Sequence, residues 1–170
     1  MQKRLLLTLA AIGVILTAIF CNGAHCAATT YSARVVRVVD GDTIHVRDSA
    51  GALHKIRLAL IDAPELAQPY GKAAKQKLAQ HLLQQRVDLS LKCIDKYNRE
   101  VCYVSAGGED ASLMLLAAGL AMHYHLPLDD CSAADAAERA AKNNKLGLWA
   151  QPCPEPPWRY RHRQRMQKGF

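Results

Sequence analysis

An α+β fold is predicted by the order of segments along the chain. Strand-like stretches come first, a helix is inserted among them, and further helices follow. Residues 31–39 are rich in valine and read as a strand. Asp40-Gly41 turns the chain. Residues 43–46 form a second strand with Ile44 and Val46 on one face. Asp42 shares their parity, which puts its carboxylate at the mouth of an apolar interior. Ser49-Ala50-Gly51 makes another turn, and residues 53–61 form a third strand with Ile56, Leu58 and Leu60 on one face. Asp62 continues that parity and Arg57 does not, so strict alternation keeps the two apart. Residues 72–84 are helical, with Ala74, Leu78 and Leu82 at i, i+4 spacing and Leu83 beside them. Residues 86–91 alternate as a strand, with Val87, Leu89 and Leu91 inward, and pair with 101–104 across a turn at 95–99. Ser112 caps a short helix that Gly119 stops. Ser132 opens a last helix, with Asp135 three residues on and Gly147 at its end.

The 170 residues and 18.7 kDa suit one domain plus an export signal, without internal repeats or an interdomain linker. Half the residues are hydrophobic, a fraction raised by alanine-rich helices and the leader. Residues 1–27 read as a signal peptide: Gln2-Lys3-Arg4 is a positive start, 5–20 is apolar, and Ala24-His25-Cys26 has small residues where a peptidase cleaves. The apolar run is short for a membrane span, with an uncleaved anchor as the alternative. Phe20 is too bulky for lipid processing at Cys21. An exported chain, periplasmic or secreted, is therefore expected, with no membrane attachment after cleavage. The formal charge is +7, and losing Lys3 and Arg4 leaves about +5. A basic surface suits a polyanionic partner, and it also serves solubility alone.

Of six cysteines, Cys21 and Cys26 leave with the leader. Cys93, Cys102, Cys131 and Cys153 remain, an even number that in an exported protein implies disulfides. Zinc is the alternative, but no Cys-x-x-Cys spacing supports it. Pairing about a Tyr97-Asn98 centre sets Cys93 opposite Cys102, so 93–102 is expected and 131–153 follows by remainder. In the tail, residues 151–170, Pro152, Pro154, Pro156 and Pro157 break regular structure before a stretch from Trp158 to Arg165 that mixes arginine with aromatics. It is expected to be a mobile basic terminus, or to dock through Trp158 alone, with stacking on single-stranded nucleic acid as the alternative.

Three segments carry chemistry: Val39-Asp40-Gly41-Asp42-Thr43, Ile56-Arg57-Leu58-Ala59-Leu60-Ile61-Asp62-Ala63-Pro64-Glu65 and Asp95-Lys96-Tyr97-Asn98-Arg99. They supply carboxylates for a hard cation and two arginines for a phosphate. Phosphate-ester hydrolysis needs both charge types in one place, and a carboxylate to activate or orient water. Taken singly, the aspartates read as turn caps and the arginines as surface salt-bridge partners.

In this order and spacing the segments resemble the thermonuclease family, the staphylococcal-nuclease-like enzymes, from about Val35 to Gly147-Leu148-Trp149. The resemblance implies a five-stranded oligonucleotide-binding-type β-barrel with three α-helices, covering a nuclease domain over 28–150. It implies that Asp42 and Asp62 hold Ca²⁺, joined by the backbone carbonyl of Ala63, where the best-known member has threonine. Asp40 supports the turn. Glu65 matches the general base, and Arg57 and Arg99 the arginines that stabilise the transition state. Lys96 and Tyr97 match nucleotide contacts, and Asn98 replaces a glycine while tolerating a left-handed backbone. Tyr124, within His123-Tyr124-His125, matches a substrate contact, and its two flanking histidines are expected to be exposed loop residues rather than zinc ligands. No catalytic candidate is read beyond Arg99. The implied activity is Ca²⁺-dependent hydrolysis of DNA and RNA that leaves 3′-phosphates with little sequence specificity. Nucleic acids are the expected partners of a monomer, with no stable protein partner. The rivals are a non-catalytic nucleic-acid- or protein-binding module on the same barrel, and a structural protein that binds anionic polymers through its tail.

Overall fold

The valine-rich first segment forms β1 (Thr30–Val38), which pairs with strands on both edges. The structure, a computed structural model, describes residues 29–125 and 131–169. The leader lies outside the described residues. Among those described, no helix is long and apolar enough to cross a membrane.

On one side β1 pairs antiparallel with β2 (Thr43–Arg47), which pairs with β3 (Leu53–Leu58). On the other it pairs with β5 (Arg86–Ile94), which pairs with β6 (Glu100–Ala106). A parallel pairing of β3 with β6 joins the two ends and closes a five-stranded barrel. The α+β barrel anticipated from the sequence is thus the fold. A two-residue strand, β4 (Ile61–Asp62), leaves the barrel and pairs with β8 (Met122–His123), while β7 (Glu109–Asp110) turns back to pair antiparallel with the end of β6.

Of the residues the alternation set inward, Ile44, Val46, Ile56, Leu58, Leu60, Val87 and Leu89 are buried, while Leu91 is half-buried; Val35 of β1 is buried with them. Each such side chain contributes about 1.5–3 kcal/mol by leaving water. Helix α1 (Gly71–Leu82) closes one end with Ala74, Leu78 and Leu82, but Leu83 lies beyond the helix and is exposed. Helix α2 (Ala111–Ala117) is capped by Asp110, whose carboxylate accepts the Leu113 N–H at 2.9 Å. The expected cap, Ser112, is inside the helix and buried, and its Oγ donates to the Ala59 carbonyl at 2.8 Å. Helix α3 (Ser132–Asn143) stops short of Gly147, which opens a 3₁₀ turn at Gly147–Ala150.

Two expectations need correction. The prolines do not keep the tail free of regular structure: Pro157 starts α4 (Pro157–Gln167), a fourth helix beyond the three expected. Proline is suited to the first helical position, and no breaker follows until Gly169. The four outlying cysteines are free in the structure. A bulge between Leu91 and Cys93 shifts the register, so Cys93 faces Val101 and Cys102 faces Leu91. Cys102 is buried, and burial pushes its thiol up to about 12, whereas Cys93 is exposed. The directly opposed 93–102 pair is therefore off by one residue.

On the barrel wall His54 bridges two acids, with Nδ1 2.7 Å from Glu100 and Nε2 3.1 Å from Asp48. The Tyr31 hydroxyl also donates to Glu100. These acids raise the imidazole above its usual 6.5, and the hydrogen bond to Glu100 is the largest cause. A raised histidine stabilises the fold fully below its unfolded value and loses that stabilisation as pH rises through the folded value. The Asp48 carboxyl is held low, chiefly by His54, so its share is lost toward acid. His54→Gln is expected to lower Tm by roughly 2–4 °C near pH 6 and by progressively less as pH rises into the alkaline range. Thermal melts across that range check it, and a deficit independent of pH would contradict the charged bridge.

Candidate active site

The site starts at the β1–β2 turn. Asp40 Oδ1 accepts the Asp42 N–H at 3.1 Å and fixes the turn. Between them only glycine fits: a Cβ on Gly41 would lie 2.7 Å from those of both Ala63 and Ala74. Asp42 is thereby held at the barrel mouth, buried and next in line to Ile44 and Val46, as the parity required. Its Oδ1 accepts from Thr43 Oγ1 at 2.9 Å, and its Oδ2 accepts the Ala63 N–H at 3.1 Å.

Alternation separates Arg57 from Asp62, and the backbone brings them together. β3 ends at Leu58, and Leu60 adopts φ +66°, a left-handed conformation costly for leucine. Neighbours hold it there: Ala59 N–H donates to Cys102 O at 2.8 Å, and Tyr124 N–H to Leu60 O at 2.7 Å. The chain reverses its facing, so Arg57 reaches Asp62 Oδ1 with Nη2 at 3.1 Å and Asp42 Oδ2 with Nη1 at 3.1 Å. Nη1 also donates to the Ile61 carbonyl at 3.0 Å. One guanidinium thus spans both aspartates.

Glu65 is placed by the loop before α1. Its N–H donates to Gln68 Oε1 at 2.9 Å, and its carbonyl accepts the Gln68 N–H at 2.8 Å. A Cβ on Gly71 would come within 2.0 Å of the Glu65 carbonyl oxygen, so the helix start can lie against this loop only as glycine. Arg99 is set by the β5–β6 turn. Asp95 Oδ1 accepts the N–H groups of Tyr97 and Arg99 at 2.9 and 3.0 Å, while Oδ2 takes Arg99 Nε and Nη2 at 2.8 and 2.7 Å. Burial would raise the Asp95 carboxyl, but the Arg99 hydrogen bonds hold it below the usual range. Asn98 takes φ +58°, the left-handed conformation anticipated. Lys96 and Arg99 approach the Tyr97 ring at 5.2 and 5.4 Å.

A cavity of about 720 Å³ collects these groups: Asp42, Arg57, Asp62, Ala63, Glu65, Lys96, Tyr97, Arg99 and Tyr124 all line it. Every residue singled out in the sequence for metal, catalysis or substrate contact therefore borders one space. The sequence reading missed Arg161. From α4 its Nη2 lies 2.7 Å from Asp62 Oδ2, and its Nη1 is 3.1 Å from Asp62 Oδ1 and 3.0 Å from Glu65 Oε1. Trp158 and Arg165, on the same helix, also line the cavity. The Pro156-Pro157 step was the available signal, because it starts a helix rather than isolating a loose end. Asp95 was read only as part of its segment, not as the group that holds Arg99, although its spacing from Tyr97 and Arg99 fits an Asx-type turn.

Electrostatically the floor of the cavity is crowded with acid. Burial and the neighbouring Asp42 charge push Asp40 up to about 6. Asp62 is raised by burial, against the opposing pull of Arg161. Crowded carboxylates of this kind are relieved by a cation. Their donors are all oxygen, which fits a hard divalent ion rather than a soft one. Ala63 has no polar side chain, so its carbonyl oxygen is what it has to offer a hard cation.

A barrel of this topology with acids and arginines at its mouth defines a class, and comparison with known proteins places the chain within it. Residues 55–151 match the family model described as staphylococcal nuclease homologue. The chain is 34% identical over 143 residues to a micrococcal nuclease of Shigella flexneri, covering 77% of this chain and 80% of that protein. It is 37% identical over 125 residues to a thermonuclease of Staphylococcus intermedius, covering 68% and 74%. An uncharacterized endonuclease of Haemophilus influenzae matches at 31% identity over 169 residues, covering 99% of this chain and 90% of that protein. The chain belongs to the staphylococcal nuclease family.

Proposed function

We propose that this protein is an exported, Ca²⁺-dependent nuclease that hydrolyses DNA and RNA phosphodiesters with little sequence specificity and leaves 3′-phosphate ends. The observation that carries this reading is Arg57 spanning Asp42 and Asp62 beside Glu65 in one cavity. The relatives named as nucleases support it, and the leader-like start supports export. Asp42, Asp62 and the Ala63 carbonyl would hold the ion, which supplies neutralisation of a phosphoryl oxygen.

The remaining work falls to this chain's side chains. Arg57 and Arg99 present planar donor forks to the non-bridging oxygens and stabilise the charge that grows as water attacks in line. Glu65 takes the proton of that water or orients it. Lys96 attracts the phosphate backbone, and Tyr97 and Tyr124 offer faces for the nucleotide. Contacts to phosphate rather than base edges give little sequence preference. The protein acts as a monomer without a stable protein partner. The rival reading, a binding module on the same barrel, leaves the assembled acids and Glu65 without a task.

Cleavage of a defined oligonucleotide tests the reaction. Products with phosphatase-sensitive 3′ ends are expected. Products with 5′-phosphates would reject the assigned bond, and intact but bound oligonucleotide would favour the rival.

Arg161 bears on the ion directly, because it places a positive charge on the carboxylate expected to bind one. Arg161→Ala is expected to tighten Ca²⁺ binding on the order of tenfold, a modest gain because the guanidinium is partly solvated. Calorimetric titration checks this, and an unchanged or weaker affinity would contradict it.

A further inference from the structure

We propose that His123, His125 and Cys131 form a separate site for a zinc-class transition-metal ion. Ligand atoms of the three residues all lie within 4.8 Å of one another. None of the three lines the acidic cavity, whereas Tyr124 between the histidines does. The 123–125 segment thus presents its tyrosine to one site and its histidines to the other.

The histidines are not both the exposed loop residues expected from the sequence. The His123 side chain is 1% exposed. Its Nδ1 lies 2.9 Å from Asp135 Oδ1 on α3, and its N–H goes to Glu138 at 2.8 Å. A neutral ring donating through Nδ1 keeps its lone pair on Nε2. That Nε2 is buried and has no hydrogen-bond partner among the described residues. A buried polar atom left so costs about 1–3 kcal/mol, and an ion would supply the missing partner. A carboxylate on one ring nitrogen with a metal on the other is the usual means of orienting a histidine ligand. Asp135, expected to serve the start of α3, serves His123 instead.

Of the other two ligands, His125 is exposed and Cys131 is half-buried. The His125 ring stands 4.1 Å from that of His123, centroid to centroid, and Cys131 sits at the N-cap of α3. Two imidazoles and a thiolate suit Zn²⁺ or its analogues and not Ca²⁺. Binding draws the three ligand atoms to about 3.3–3.8 Å apart, which rotation of the exposed His125 provides, and releases the thiol proton to solvent. Three protein ligands leave a fourth position for water. β8 pairs with β4, with Ile61 opposite His123 and Asp62 opposite Met122. The ion would therefore clamp the strand that carries Asp62 to α3.

Cobalt is the probe, because thiolate ligation gives a sulfur-to-cobalt charge-transfer band that oxygen ligands cannot. The purified, reduced, metal-stripped chain is titrated with Co²⁺ in excess Ca²⁺, so that the oxygen site is filled. One equivalent with tetrahedral visible bands and the charge-transfer band is expected, and Zn²⁺ should displace it. Cys131→Ser should abolish the band, and His125→Ala, at an exposed position, should weaken affinity about tenfold or more without loss of fold. No band, a band that survives Cys131→Ser, or a Cys131–Cys153 disulfide in the metal-loaded protein would overturn the proposal. The readout needs no nuclease activity, so it stands or falls apart from the proposed function.

Discussion

Arg57→Ala is expected to lower the rate of phosphodiester cleavage by on the order of 10²-fold or more, as loss of one positioned donor at a developing charge does. Arg57 has two tasks, and both fail together. In the proposed reaction its fork would meet the phosphate, and in the resting site it pairs with Asp42 and Asp62 at 3.1 Å each. Without it those buried acids face one another, so a stability loss of about 1–3 kcal/mol should accompany the lost activity. Arg57→Lys separates the tasks. It keeps the charge, and so much of the stability, but loses the planar fork, and so should recover little of the rate. Steady-state kinetics and thermal melts on both variants check this. Near wild-type turnover in Arg57→Ala would remove the residue from the catalytic set.

Asp62→Asn should stop detectable cleavage and weaken Ca²⁺ binding by on the order of 10²-fold, because an anionic oxygen is taken from a hard cation. Folding should survive. Burial already disfavours the charged form of Asp62, and asparagine keeps the shape and one acceptor for Arg57. Oligonucleotide binding should persist through Arg57, Arg99 and Lys96. Calcium titration and filter binding on the same preparation measure the two effects, and calcium affinity unaltered in both Asp62→Asn and Asp42→Asn would take these residues off the ligand list.

The barrel strands were legible because their inward faces alternate over apolar residues, and a single buried face fixes register. The position of Asp42 followed from the same rule. The meeting of Arg57 with Asp62 did not, because it depends on a left-handed Leu60 held by Cys102, Ser112 and Tyr124, all remote in sequence. The cysteine register failed for a related reason: a bulge costs one residue and leaves no mark in the alternation. Burial of His123 was hidden because β8 is two residues long, too short for any period to show. Arg161 was hidden because the prolines before it have the pattern of breakers, whereas Pro157 at the first helical position starts a helix.

In the proposed reaction the acids and arginines at the barrel mouth act together with a metal ion to hydrolyse nucleic acid. The most direct measurement is cleavage of single- and double-stranded DNA by the purified protein with Ca²⁺, after chelation, and after Ca²⁺ is restored, with Glu65→Gln run in parallel. Cleavage that stops on chelation, returns with Ca²⁺ and falls by on the order of 10²-fold in Glu65→Gln is expected. Cleavage that continues unchanged in chelator would rule out a metal-assisted reaction, and equal cleavage in Glu65→Gln would remove Glu65 from it.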